Sequence, residues 1–167
     1  MKKETKSELN ILMNKYGQRL AEAKRRQKKV KAGKDIFLTE FKRLRKKVIY
    51  PAMKSIGNQF KKRGHEYRIS EQEESIDSEG NRRNAKITMS IFPTSTHPST
   101  YGPENTPSIS FIATRDKKKI WIHGSSRVPT GEGTAGSRGE FSIEQITRDT
   151  VEREALGILK EIFDPQA

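Results

Sequence analysis

The chain has 167 residues, no cysteine and a formal net charge of +13. This length predicts one domain plus an extension, and the absence of cysteine excludes disulfides, thiolate zinc sites and cysteine nucleophiles. No segment has the apolar length of a membrane span or of a secretory signal, so we expect a cytoplasmic protein.

The positive charge is concentrated in the first part of the chain. Residues 1–65 contain 21 Lys or Arg residues and 5 Asp or Glu residues, a net charge of +16. Residues 66–167 contain 13 and 16 of these residues, a net charge of −3. This asymmetry indicates an anionic partner for the first part, and a merely solvated basic face is the alternative.

A first helix is predicted between residues 7 and 30. Its apolar residues recur at spacings of three, four or seven, which places them on one side of a helix: Leu9, Leu12, Met13, Tyr16, Leu20, Ala23 and Val30. Gly33 is a predicted stop, and a short link at residues 31–35 predicts a helical hairpin. We therefore expect an N-terminal extension, residues 1–34, and a single α+β domain, residues 35–167.

A second helix is predicted between Asp35 and Gly64. Its apolar residues drift slowly around a 3.6-residue period: Phe37, Phe41, Leu44, Val48, Ala52, Ile56 and Phe60. Pro51 falls inside this pattern, where it removes a backbone donor and its ring clashes with the preceding turn. We expect a kink near residues 47–51, or two helices in place of one.

After residue 66 the apolar period changes to two, which is typical of strands. Four strands and a short fifth are predicted in HEYRISEQE, NAKITMSIF, SISFIAT, KIWIHGS and EFSIEQI. A last helix is expected from about Thr147 to Phe163, with an N-terminal capping box formed by Asp149 and Glu152. The predicted fold class is α+β: an N-terminal basic helical hairpin, an antiparallel four- or five-stranded meander sheet, and a C-terminal helix packed on one sheet face.

No catalytic, metal or cofactor site is predicted. GEGTAG at residues 131–136 fits G-x-G-x-x-G, but EFSIEQI, which follows it, is typical of a strand or loop and no parallel βαβ unit surrounds it, so a flexible loop is the better interpretation. His123 beside Ser125 and Ser126 has no carboxylate placed to orient it, which disfavours a nucleophile and base. An enzyme would need the loops at residues 93–107 and 128–139 to surround a pocket.

The basic helical segments are the predicted interface. Arg43, Lys47, Lys54 and Lys61 fall in one arc at 100° per residue, a stripe about 27 Å long at 1.5 Å per residue. Such a stripe matches several phosphates of a nucleic acid but offers no base-reading geometry. The predicted nucleic-acid-binding residues are Lys24, Arg25, Arg26, Lys28, Lys29, Arg43, Lys47, Lys54, Lys61, Lys62 and Arg63, with Trp121 as a stacking platform.

Two other partners stay open at this stage. The basic helices also suit an acidic protein, which would make the chain an adaptor or chaperone-like module. A homodimer through the seam of Leu9, Tyr16 and Leu20 is a further hypothesis. A membrane surface is not expected, because the apolar faces look committed to a core and carry no Trp anchor.

Overall fold

The computed structural model describes residues 2–94 and 101–164. Contacts along the chain divide it into two units, Met1–Ile36 and Phe37–Ala167. Within the described ranges, no helix has both the length and the apolar character needed to cross a membrane. Part of the predicted loop 93–107, namely residues 95–100 with His97, lies outside the described residues.

Helix α1 spans Lys3–Leu44 and passes through residues 31–35, where the sequence predicted a link. The predicted stop at Gly33 is therefore wrong. A glycine inside a helix costs only about 1 kcal/mol relative to alanine, and the Lys, Arg, Ala and Glu residues around it are strong helix formers. The buried residues of α1 are Phe37 and Phe41, and both belong to the second unit. The part of α1 that lies in the first unit therefore has no buried residue among those described.

The expected interruption near Pro51 is confirmed. A π-helical segment, Arg45–Ile49, separates α1 from helix α2, Tyr50–Lys62, and the Tyr50 N–H donates to the Arg45 carbonyl five residues back. Proline has no N–H and its ring clashes with the carbonyl four residues earlier, so a wider turn before Pro51 relieves the conflict. The wider turn also shifts the buried face, which places Ile49 and Met53 in the core.

The sheet of the second unit is a five-stranded antiparallel meander in the order β1-β4-β5-β6-β7. Its strands are β1 Glu66–Gln72, β4 Lys86–Phe92, β5 Ser108–Thr114, β6 Lys119–Ser125 and β7 Ala135–Phe141. Strands β2, Ser75–Ile76, and β3, Arg82–Arg83, form a small separate ladder in the predicted β1–β4 connection. The predicted fold class, α+β with an antiparallel sheet, is confirmed.

The fifth strand lies earlier than predicted. Strand β7 occupies Ala135–Phe141, mostly within the predicted loop 128–139, and overlaps the predicted strand only at Glu140 and Phe141, while Ile143–Gln145 forms a short 3-10 turn. Two glycines and no β-branched residue hide this strand from a propensity argument, and pairing with β6 overrides the weak local preference. The GEGTAG segment thus runs from a turn into β7, and no helix follows its glycines.

Helix α3, Arg148–Phe163, covers the same sheet face as α2. Its cap is Thr147, whose hydroxyl accepts from the Thr150 N–H, while the Thr150 hydroxyl accepts from the Thr147 N–H. This pair replaces the predicted Asp149 and Glu152 cap. The core between the sheet and the helices includes Phe41, Ile49, Met53, Ile87, Met89, Ile91, Ile109, Phe111, Ile120, Ile122, Val151 and Ile158.

Candidate functional site

The predicted cations of the second unit are all exposed. We call them the α2 basic surface, and they are Arg43, Lys47, Lys54, Lys61, Lys62 and Arg63. Residues 41–65, which contain them, include no Asp or Glu. The surface therefore has no carboxylate within its own stretch of chain.

The straight stripe calculated from the sequence is not kept across Arg45–Ile49. That calculation used 100° per residue throughout, whereas a π-helical turn contains more residues and shifts the phase of everything after it. Arg43 and Lys47 therefore do not align with Lys54 and Lys61 as predicted. All four still point away from the core, because the same shift moves the buried positions.

Two acidic residues that follow β1 neutralise other cations. Glu73 pairs with Lys42 and Arg45, and Glu74 pairs with Arg82 and Arg115. On the remaining elements Arg138 pairs with Glu161, Arg148 with Glu152 and Lys117 with Glu140. Within residues 2–94 and 101–164, no ion pair involves any member of the α2 basic surface.

Arg45 shows the contrast most clearly, because it lies between Arg43 and Lys47 in sequence but is buried. Its guanidinium donates to Glu73 Oε1, lies 3.7 Å from Glu71 Oε1, and lies 3.4 Å from the Gln72 carbonyl. The Arg45 hydrogen bond holds the pKa of Glu73 below its ordinary value, and the charge of Lys42 adds to this effect. Arg45 is a structural residue of the second unit.

A shallow polar groove of about 550 Å³ runs beside the C-terminal half of α2. Ser55, Asn58 and Gln59 line it together with Lys61 and Lys62. Hydroxyl and amide side chains, like lysines, are common ligands of phosphate oxygens. Sequence reasoning missed these three residues, although Asn58 lies three and four residues before Lys61 and Lys62, Gln59 lies three residues before Lys62, and Ser55 lies three and four residues before Asn58 and Gln59, which places all of them on the same side of α2.

The first unit carries a separate group of exposed cations, Lys24, Arg25, Arg26, Lys28 and Lys29, all within α1. Of these, Arg26 forms an ion pair with Glu22, at 3.6 Å and with both side chains mostly exposed. An exposed pair of this kind contributes little to stability. The remaining four have no ion-pair partner among the described residues.

Trp121 is not part of either group of cations. It lies on β6, on the sheet face opposite to the helices, and is half-buried. Its indole N–H donates to Ser137 Oγ at 2.8 Å, and its ring meets that of His123 edge-on with centroids 5.4 Å apart. Phe92 on the same sheet is buried against Tyr101, so it adds no exposed ring to the predicted stacking platform of Trp121.

A comparison with protein-family models, curated proteins and solved structures found no match for this chain. The candidate site therefore depends on the charges, exposures and contacts of the residues described above.

Proposed function

We propose that this chain is a non-enzymatic nucleic-acid-binding protein whose α2 basic surface contacts phosphates without reading base sequence. The observation that carries the proposal is the distribution of carboxylates. The second unit uses its acidic residues on Lys42, Arg45 and other cations, and leaves Lys54, Lys61 and Lys62 without partners among the described residues. Clustered, exposed and unneutralised cations are what a polyanion requires.

The basic residues Lys24–Lys29 of the first unit form a second phosphate-binding segment in this proposal. Helices that carry cations on several sides contact backbone phosphates without placing donors at base edges. The proposed compartment is the cytoplasm, which suits a chain without cysteine.

Fluorescence titration of labelled single- and double-stranded DNA and RNA tests this proposal. Because phosphate binding releases counterions, engagement of six cations on duplex DNA predicts a loss of affinity of roughly a thousandfold between 50 and 200 mM salt. Similar affinities for unrelated sequences are expected. Absence of binding at low salt, or affinity that does not depend on salt, would contradict the proposal.

The exposed apolar residues of the first unit favour a second candidate partner, an acidic helix of another protein. Apolar residues at alternating spacings of four and three form the α1 seam: Leu9, Met13, Tyr16 and Leu20. Each of these side chains is between 45% and 58% exposed. An amphipathic helix that leaves its apolar face to solvent is an interaction surface.

The charges beside the α1 seam choose between a second copy and another protein. In this heptad frame the e and g positions within the seam hold Asn10, Leu12, Gly17 and Arg19, and those that follow it hold Lys24, Arg26 and Lys31; none of these residues is acidic. Parallel pairing of two copies brings g against e, and antiparallel pairing brings like positions together, so the charged residues that meet in either homodimer are all cations. This pattern favours an acidic amphipathic helix over the homodimer.

Two synthetic peptides with the same apolar seam test this candidate, one with Glu and one with Lys at the flanking positions. The acidic peptide is expected to bind the full chain and to become helical, which raises the helical signal of the mixture in circular dichroism. The basic peptide is expected to do neither. Leu20→Asp is expected to abolish the effect. A stable homodimer at low salt, or equal binding of both peptides, would contradict it.

A further inference from the structure

The face of the sheet that points away from the helices is lined by short hydroxyl side chains. Antiparallel registers align them in rows across the strands, with Ser90 opposite Ser108 and Thr88 opposite Ser110. Thr88 Oγ1 and Ser110 Oγ are 2.8 Å apart and share one hydrogen bond. In the described part of the chain, no hydrogen bond involves the side chains of Ser90 and Ser108.

Longer side chains surround these rows and leave a cavity of about 390 Å³ above them. Arg68 on β1 stands opposite Ser90, and Lys86 lies on β4 one row beyond Thr88. Tyr101, which precedes the 3-10 turn Pro103–Asn105, closes one end with its ring edge-on to Phe92, 5.3 Å between centroids. The volume lies in the range of small-molecule sites.

The lining of the cavity is positively charged. Its lining includes two cations, Arg68 and Lys86, and no Asp or Glu among the described residues. Neither cation has an ion-pair partner within residues 2–94 and 101–164. The Arg68 guanidinium lies over the Phe92 ring, 5.5 Å from its centroid, which places it at the cavity wall.

We propose that this cavity binds a phosphate monoester of about nucleotide size. Lys86 at one end of the cavity would bind the phosphate, and Arg68, about 13 Å away along the sheet at the end next to Phe92 and Tyr101, would donate hydrogen bonds to the ring of the ligand. The hydroxyls of Ser90 and Ser108 would hydrogen-bond the polar body of the ligand, and Tyr101 would contact its ring. This site lies on the sheet face opposite to α2 and does not depend on the function proposed above.

Isothermal titration of the full chain with AMP, adenosine and inorganic phosphate tests the proposal. AMP is expected to bind with 1:1 stoichiometry, and adenosine is expected to bind at least about tenfold more weakly, because it lacks the phosphate that Lys86 contacts. Arg68→Gln and Lys86→Gln are each expected to weaken AMP binding about 10- to 100-fold. Arg83→Gln, an exposed cation outside the cavity, is the matched control and is expected to have no effect.

A short oligonucleotide with or without a 5′-phosphate separates two sources of the same chemistry. If the natural ligand is a strand end, the 5′-phosphate strengthens oligonucleotide binding and Lys86→Gln removes that gain; if it is a free nucleotide or similar metabolite, the 5′-phosphate adds nothing to oligonucleotide binding while AMP still binds. Lys54→Gln/Lys61→Gln/Lys62→Gln leaves AMP binding unchanged, which separates this site from the α2 basic surface. Absence of saturable AMP binding at millimolar concentrations, or equal binding of adenosine, would overturn the proposal.

Discussion

The guanidinium of Arg45 and the carboxylate of Glu73 form a hydrogen bond across 28 residues of sequence. It joins the π-helical segment to the chain just after β1, and the ring of Phe41 lies 5.9 Å below the guanidinium. The neighbouring Arg43 makes no such contact with any residue of the described ranges 2–94 and 101–164. Two arginines separated by one residue therefore have different roles. Arg45 is buried and stabilises the fold, whereas Arg43 is exposed on the surface.

Arg45→Gln is expected to lower the free energy of unfolding by about 1.5–3 kcal/mol, because it removes charge-assisted hydrogen bonds from a buried position. Chemical denaturation of the full chain measures this loss. Arg43→Gln is the matched control and is expected to change stability by less than about 0.5 kcal/mol. Equal losses for both variants would show that Arg45 is not held as described.

Gly57→Ala is expected to destabilise the second unit by about 1–3 kcal/mol through overpacking. A Cβ atom at Gly57 would lie 2.4–2.5 Å from ring atoms of Tyr67, whose hydroxyl is fixed by a 2.8 Å hydrogen bond to Asn58. In the Tyr67→Val background, where the ring is absent, Gly57→Ala is expected to cost less stability than it does in the wild type. Thermal denaturation of the single and double variants measures this coupling.

Gly157→Ala provides the opposite result in the same unit. Gly157 lies inside α3, and a Cβ atom there would meet no atom within 4 Å. Because alanine is the better helix former, this variant is expected to gain about 0.5–1 kcal/mol. A loss of stability at Gly157 would contradict the packing described for α3.

The ion pair between Arg138 and Glu161 makes the stability of the fold change with pH in the acidic range. Its two contacts are 2.7 and 2.8 Å long, and they hold the pKa of Glu161 below its ordinary value of 4.5. A carboxyl whose pKa is lower in the folded state stabilises the fold above its unfolded pKa, and this contribution is lost as the pH falls through the folded pKa.

Glu161→Gln is therefore expected to cost about 0.5–1 kcal/mol near neutral pH, since solvent screens this partly exposed pair, and less at an acidic pH below the lowered pKa of the native carboxyl. Urea denaturation of both proteins at the two pH values measures the difference. A cost that is the same at both pH values would mean that the shape of the side chain, and not its charge, stabilises the contact.

The fold could be predicted where one periodicity dominates a segment. Strands β4, β5 and β6 place buried apolar residues at every second position because one face packs under helices, and α3 was predicted to within one residue. Strand β7 could not be placed, because its pairing with β6 is a tertiary effect. The continuation of α1 through Gly33 was missed because a single glycine was given more weight than the helix formers around it.

The candidate site was predicted in part. The exposure of the predicted cations could be inferred because they lie on a different side of the helix from the apolar residues. The π-helical turn, which breaks the calculated stripe, could be located by Pro51 but its geometry could not. Burial of Arg45 was not predictable from local sequence, because its partners Glu71 and Glu73 follow it by 26 and 28 residues.

The salt dependence of duplex DNA binding tests the central claim, that the α2 basic surface contacts phosphates. Lys54→Gln/Lys61→Gln/Lys62→Gln is compared with Lys118→Gln/Lys119→Gln/Lys160→Gln, which removes three exposed cations elsewhere in the second unit. The first variant is expected to reduce the slope of log affinity against log salt by up to about 2.7, and the second to leave it unchanged. Equal slopes for the wild type and the first variant, or equal reductions in both variants, would contradict the claim.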